Sequence, residues 1–367
     1  MSFTSTRSPS VWETGADDMR SERLTRKSHF RRINLQDMDG SGISEGVVDL
    51  EKLWSLADLA DEAQHLDLEA LYKQTPTFRN HYDAVLWAAQ MINQSPTARM
   101  LMDAAGQHGW AVEFSDLKNQ GFCMDQEERV IYLDHFCLDA SALGKSGFFR
   151  HIMLTTLIRA LRDAWHEDRL GDIHTTYAPE QILMVERVRS ADCDTVTILC
   201  GWELRGAGFT EVWRHLLGSE EGDMAIIFTR FLERDPGALF SGAALAYAFR
   251  QWYADVSRVD GVDHDALEAL DGIMEDADSV NPFGQKRLEA AGIEALSILP
   301  DGKCYLAGLG AGILRDPFFA GLNDEINQTH MFQLMYDMEV VMVNNVPFRD
   351  SALARKIFPQ SEVIPVR

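Results

Sequence analysis

From His151 to Glu167 the chain reads HIMLTTLIRALRDAWHE, a stretch free of proline and glycine whose apolar residues recur at helical spacing. Leu154, Leu157, Ile158, Leu161 and Trp165 fall on one face, and Thr155, Thr156, Arg159, Asp163 and His166 on the opposite one. A helix with a single apolar stripe has to bury it, so the rest of the chain is expected to be laid against this segment. A second long helix is expected from Pro179 to about Arg205, with proline at its opening position. Val185, Val188, Ala191, Ile198 and Trp202 make its apolar side, while Glu186, Ser190, Cys193, Asp194 and Thr197 share another.

Ahead of the first of these helices, Trp110 to Leu117 reads as extended. Gly121 to Asp134 reads as a hairpin in which Phe122–Met124 answers Val130–Leu133 across the polar turn Asp125 to Glu128. Val47 to about Gly106 has helical periodicity, with Pro76 and Pro96 at helix starts, and almost everything after Gly206 is helical, punctuated by Asp-Pro, Asp-Gly and Asn-Pro steps. The expected class is therefore α+β and mostly helical, in three parts: a polar, basic arm over 1–45, a central domain over 46–235 and a helical C-terminal region over 236–367. In the first 35 residues Arg7, Arg20, Arg23, Arg26, Lys27, Arg31 and Arg32 outnumber the acids, against the sign of the rest.

The 367 residues carry 34 Lys and Arg against 57 Asp and Glu, a formal charge of −23. A field of that sign repels phosphate backbones and anionic lipid heads, so neither nucleic acid nor membrane is an expected partner. Five cysteines, Cys123, Cys137, Cys193, Cys200 and Cys304, form no Cys-x-x-Cys pair, which points to reduced thiols. With no signal-like or membrane-length apolar run, a cytoplasmic protein is expected.

The window Arg159-Ala160-Leu161-Arg162-Asp163-Ala164-Trp165-His166 resembles, position for position, the His-Glu-Leu-Arg-His-Ala-Trp-Gln signature of a bacterial zincin-type metallopeptidase family of unknown function. Ser190-Ala191-Asp192-Cys193 is similar to that family's later Glu-Ala-Asp-Ala run. The resemblance implies a zincin-like core, a small antiparallel sheet with two central helices, extended by helices at both ends. Such a core binds extended substrate by main-chain pairing along an edge strand, for which Val130, Ile131, Tyr132 and Leu133 are the candidates. It also implies that Arg159 and Asp163 stand at the two histidine ligands, Ala160 at the general base and Ser190 at the third ligand. A zincin needs imidazoles at i and i+4 to reach one metal, and a guanidinium is not deprotonated at neutral pH, so no metal is expected there. Arg159 and Asp163 are instead expected to pair with each other at i, i+4.

A catalytically degenerate metallopeptidase-like protein is thus expected, a binding or regulatory module whose partner is a protein or peptide. The alternatives are an active zinc peptidase with a displaced ligand set (Asp163, His166, Glu186, Asp194) and a structural or assembly protein. Asp37, Asp39 and Ser41 match the first half of a calcium loop, but Val48 stands where the closing glutamate belongs, so an Asp/Gly turn is the expected reading. Gly308, Gly310 and Gly312 lack the strand that a nucleotide-binding glycine run requires.

Overall fold

The computed structural model describes residues 53–65, 71, 76–171, 173–276 and 281–339, with short segments at 341–343, 346–348, 356–357 and 363–365. The arm over 1–45, and with it the half calcium loop at Asp37, Asp39 and Ser41, lies outside the described residues. The class is α+β with helix predominant. Helices α1 (Leu56–Gln64), α2 (His81–Ile92) and α3 (Pro96–Gln107) lead to a sheet of β1 (Trp54–Ser55), β2 (Ala111–Ser115), β3 (Phe122–Asp125) and β4 (Val130–Asp134). Then come a short α4 (Ala140–Lys145) and the central helices α5 (Gly147–Leu170) and α6 (Pro179–Gly206).

The sheet is mixed, not antiparallel, in the order β1-β2-β4-β3. β2 runs parallel to β4, with Ala111 opposite Val130, and β3 runs antiparallel to β4, with Phe122 opposite Leu133. The hairpin expected at Gly121–Asp134 is present, but its second strand inserts between β2 and β3. Val130, Ile131, Tyr132 and Leu133 are therefore paired on both sides and form no edge. The physical reason is the parallel pairing with β2, a strand that precedes the hairpin and takes up the second side of β4; Val130, Ile131 and Leu133 are almost fully buried there. Among the described residues, the edge beside α5 is β3, which pairs with β4 alone.

Ser146 caps α5, its hydroxyl accepting from the Phe149 amide, and Gly171 closes it at φ +63°, a left-handed value that a side chain would oppose. The expected division of α5 into dry and wet faces does not hold. Arg159, Arg162, Asp163 and His166 are buried along with the apolar stripe. α6 explains this, since every residue from Ile182 to Gly201 is buried and the helix runs through the centre of the molecule. A helix so enclosed shows little amphipathicity, and its charged residues must find partners on neighbouring elements.

Against α6 pack α7 (Thr210–Gly218), α8 (Gly222–Arg234), α9 (Ala243–Trp252), α10 (Val256–Asp276) and α11 (Ala290–Leu296); α12 (Gly310–Arg315) packs on α11, α13 (Pro317–Ala320) on α6 and α12, and α14 (Glu325–Glu339) on α10. The C-terminal region is not wholly helical. Val341–Val343 (β5), Val346–Phe348 (β6) and Val363–Pro365 (β7) form a second sheet in the order β6-β5-β7. One apolar cluster runs from Trp54 to Leu334, across residue 235. No helix among the described residues is long and apolar enough to cross a membrane.

Candidate site between the central helices

Three arginines lie buried between α5 and α6, each meeting a carboxylate of the facing helix. Arg159 donates through Nε to Asp194 Oδ1 at 2.7 Å and through Nη2 to Ser190 Oγ at 2.8 Å. Asp194 Oδ2 also accepts from Trp252 Nε1 of α9 at 2.8 Å. One turn further along α5, Arg162 donates through Nε to Asp192 Oδ2 at 2.6 Å. Its two remaining nitrogens reach the carbonyls of Ile298 and Leu296 at 3.0 and 2.9 Å. In the opposite sense, Arg189 of α6 donates to Asp163 Oδ1 at 2.5 Å and pairs with Glu167.

The two residues expected to pair at i, i+4 are each bonded across to α6, Arg159 to Asp194 and Asp163 to Arg189. The arrangement follows from burial: α6 offers an acceptor and a donor at matching heights, and a desolvated charge takes the partner that best saturates it. Arg159 and Ser190 do meet, while Ala160 is buried with only a methyl to offer. This group of side chains does not suit a zinc ion. A guanidinium, itself cationic and without a lone pair to offer, is bonded to the Ser190 hydroxyl, and there is no carboxylate at 160 to activate water.

The displaced set does not gather around one point either. Asp163 is held by Arg189, Asp194 by Arg159 and Trp252, and His166 by Asp192, while Glu186 lies buried on a more N-terminal turn of α6. His166 Nε2 stands 2.8 Å from Asp192 Oδ2, and the Tyr305 hydroxyl donates to Asp192 Oδ1 at 2.7 Å. Burial pushes the Asp192 carboxyl up, but the Arg162 charge and the bonds from His166 and Arg162 outweigh it and hold its pKa at about 2. Burial, aided by the Arg162 charge, lowers His166 to about 4, so the ring is neutral and donates Nε2–H to Asp192.

His166, Asp192 and Cys193 are the one group among the described residues whose donor atoms lie within 4.8 Å of one another. A cation there would have to displace the Arg162 guanidinium from Asp192, and burial pushes the Cys193 thiol well above its ordinary range. Nothing in the sequence alone singled out Arg162 and Arg189. The available signal was the opposite charge of the two helices, Arg159 and Arg162 on one against Asp192 and Asp194 on the other.

Beside this network opens a cleft of about 560 Å³, walled by Phe148, Ile152, Thr155 and Thr156 of α5 and by Gln120–Phe122 leading into the β3 edge. Arg159 and Asp194 form its floor, and Arg214, His215 and Gly218–Glu221 its far rim. The Phe122 ring lies 5.6 Å from the Arg159 guanidinium carbon, so the cation is covered by an aromatic face as well as by carboxylate.

Among known proteins, the family model described as "Putative metallopeptidase family (DUF6782)" matches residues 68–307. No curated protein and no solved structure matches.

Proposed function

The chain belongs to the putative metallopeptidase family DUF6782, and from that premise we propose that it is a peptide-binding module in which the Arg159 guanidinium takes the place of a catalytic cation. The observation that supports this reading is the floor of the cleft, where Arg159 is bonded to both Ser190 and Asp194. An extended peptide pairs its main chain with the β3 edge over Phe122–Asp125, antiparallel or parallel, while Phe148, Ile152 and Phe122 supply apolar contact for a side chain. The binding edge is thus β3 rather than the strand Val130–Leu133. The cleft holds and orients its ligand, and with Ala160 in place of a carboxylate it does not activate water.

The test uses the full chain and peptides selected against it from a random extended library. Hydrogen exchange should slow at Phe122–Asp125 on peptide binding, and Thr156→Trp, which fills the cleft, should abolish both binding and protection. The selected peptides should remain uncut. Chelator-sensitive cleavage that disappears in His166→Asn would overturn the proposal in favour of hydrolysis by a displaced zinc set.

A further inference from the structure

His151 and His215 approach each other at the rim of the cleft, with ring centroids 5.7 Å apart and planes inclined by 48°. Two imidazoles bound to one tetrahedral zinc at about 2.0–2.1 Å hold their ring centres roughly 5 Å apart, so the observed spacing is that of a pair able to share a cation. His215 lines the cleft, and His151 is carried by α5 against the His215 ring. Both rings are part-buried rather than sealed, which leaves a path for an ion from solvent, unlike the His166 group. The Phe148 ring, edge-on to His215 with centroids 5.7 Å apart, limits the swing of that imidazole.

Glu221, at the start of α8, lines the same rim, and its charge acts on His215. Its carboxylate accepts from Ser219 Oγ at 2.5 Å and does not lie together with both imidazoles within 4.8 Å of one another, so it would have to leave Ser219 to complete the site. We propose that His151, His215 and Glu221 form a binding site for a divalent transition cation of the zinc class at the mouth of the cleft. Two imidazoles and a carboxylate suit zinc in preference to calcium or magnesium, whose sites are built from oxygen. Burial, with the neighbouring ring and Arg150, lowers His151 to about 4, and burial lowers His215, so both rings offer lone pairs at neutral pH. The Arg150 guanidinium is directed away, donating to the Gly144 carbonyl and lying 5.8 Å from the Trp87 ring.

This site lies two turns of α5 from Arg159, about 12 Å along the helix axis at 1.5 Å per residue. It would tie α5 to the α7–α8 rim and stands whether or not extended peptides bind. The test is equilibrium dialysis of the full chain against Zn²⁺, with Co²⁺ as a spectroscopic probe of its ligands. One Zn²⁺ per chain is expected, with His151→Gln or His215→Gln each weakening binding by about 100-fold, since a lost ligand costs more than a lost outer-shell contact. Arg214→Ala, on the same cleft, should bind as the unchanged chain does.

A second readout needs no variant: Zn²⁺ should protect His151 and His215 of the full chain from carbethoxylation, located by mass spectrometry. Absence of Zn²⁺ binding overturns the proposal. So does binding that survives both glutamine variants, or protection that falls on His166 instead.

Discussion

At Asp192 three donors converge on one carboxylate: the Arg162 guanidinium, the His166 ring and the Tyr305 hydroxyl, all buried. Removing the carboxylate strands the guanidinium in a dry interior, so Asp192→Ala should cost about 3–5 kcal/mol in urea unfolding, against a few tenths for an exposed change such as Glu211→Ala. Two histidines, His166 of this cluster and His151 at the mouth of the cleft, make stability depend on pH. His166 and His151, ordinarily 6.5, are both lowered to about 4 in the fold. Between those values the unfolded chain binds protons that the folded chain does not, so stability is present above about pH 6.5 and is lost as pH falls toward 4. Asp192, lowered from 3.8 to about 2, adds a further loss below that range. Melting temperatures from pH 7 to 4 should fall accordingly, and His166→Asn should flatten the curve; a flat profile in the unchanged chain would contradict neutral buried rings. The carriers of this network were only partly legible. Arg159 and Ser190 were reached through the family signature, whereas Arg162, Arg189 and His166 sit at spacings that read equally well as a solvated helix face, because periodicity records where apolar residues are and not which charges have been dried.

The elements themselves were written more plainly than their neighbours. Pro179 opens α6, and Gly121–Asp134 is a hairpin, because local propensity and turn chemistry act within a few residues. The place of β4 between β2 and β3 depends on a parallel pairing with a strand that precedes the hairpin, and nothing local encodes that. The C-terminal sheet was legible and missed: the apolar runs Val341–Val343 and Val346–Phe348 are separated in sequence by two asparagines, a composition that favours a hairpin. Close helix packing also leaves predictions. A Cβ on Gly201 of α6 would overlap the Leu216 side chain of α7 and come within 3.6 Å of the Trp213 ring. Gly201→Ala should therefore destabilise by about 1–3 kcal/mol, despite the better helix propensity of alanine. Glu203, further along α6, receives the Ser95 hydroxyl, the Thr97 amide at 2.9 Å and the Thr97 hydroxyl at 2.7 Å, closing the N-terminus of α3. Glu203→Ala should lower stability by about 1–2 kcal/mol, with the first hydrogen-exchange protection lost at Ala98–Leu101.

Across the molecule, charge and core pull in different directions. A formal charge of −23 keeps the surface acidic, yet the centre is stitched by arginines whose partners come from distant parts of the chain. Arg162 is completed by the carbonyls of Leu296 and Ile298, and Arg187 of α6 by Asp263 of α10, which also accepts from Asn327. A fragment ending at residue 235 retains both central helices but loses every one of those acceptors. Such a fragment should show helical far-ultraviolet dichroism with no cooperative melt; a sharp two-state transition would mean that the arginines find other partners. The reach of Arg162 also sets a clock on synthesis. When Gly206 leaves the ribosome both central helices and their ion pairs are in hand, but the neutral groups that complete the hydrogen bonds of Arg162 and Asp192, at residues 296 to 305, are still to be translated. Over that interval the Arg162 guanidinium lacks its last two acceptors, so the final packing of the two helices waits for the chain to be made past residue 298.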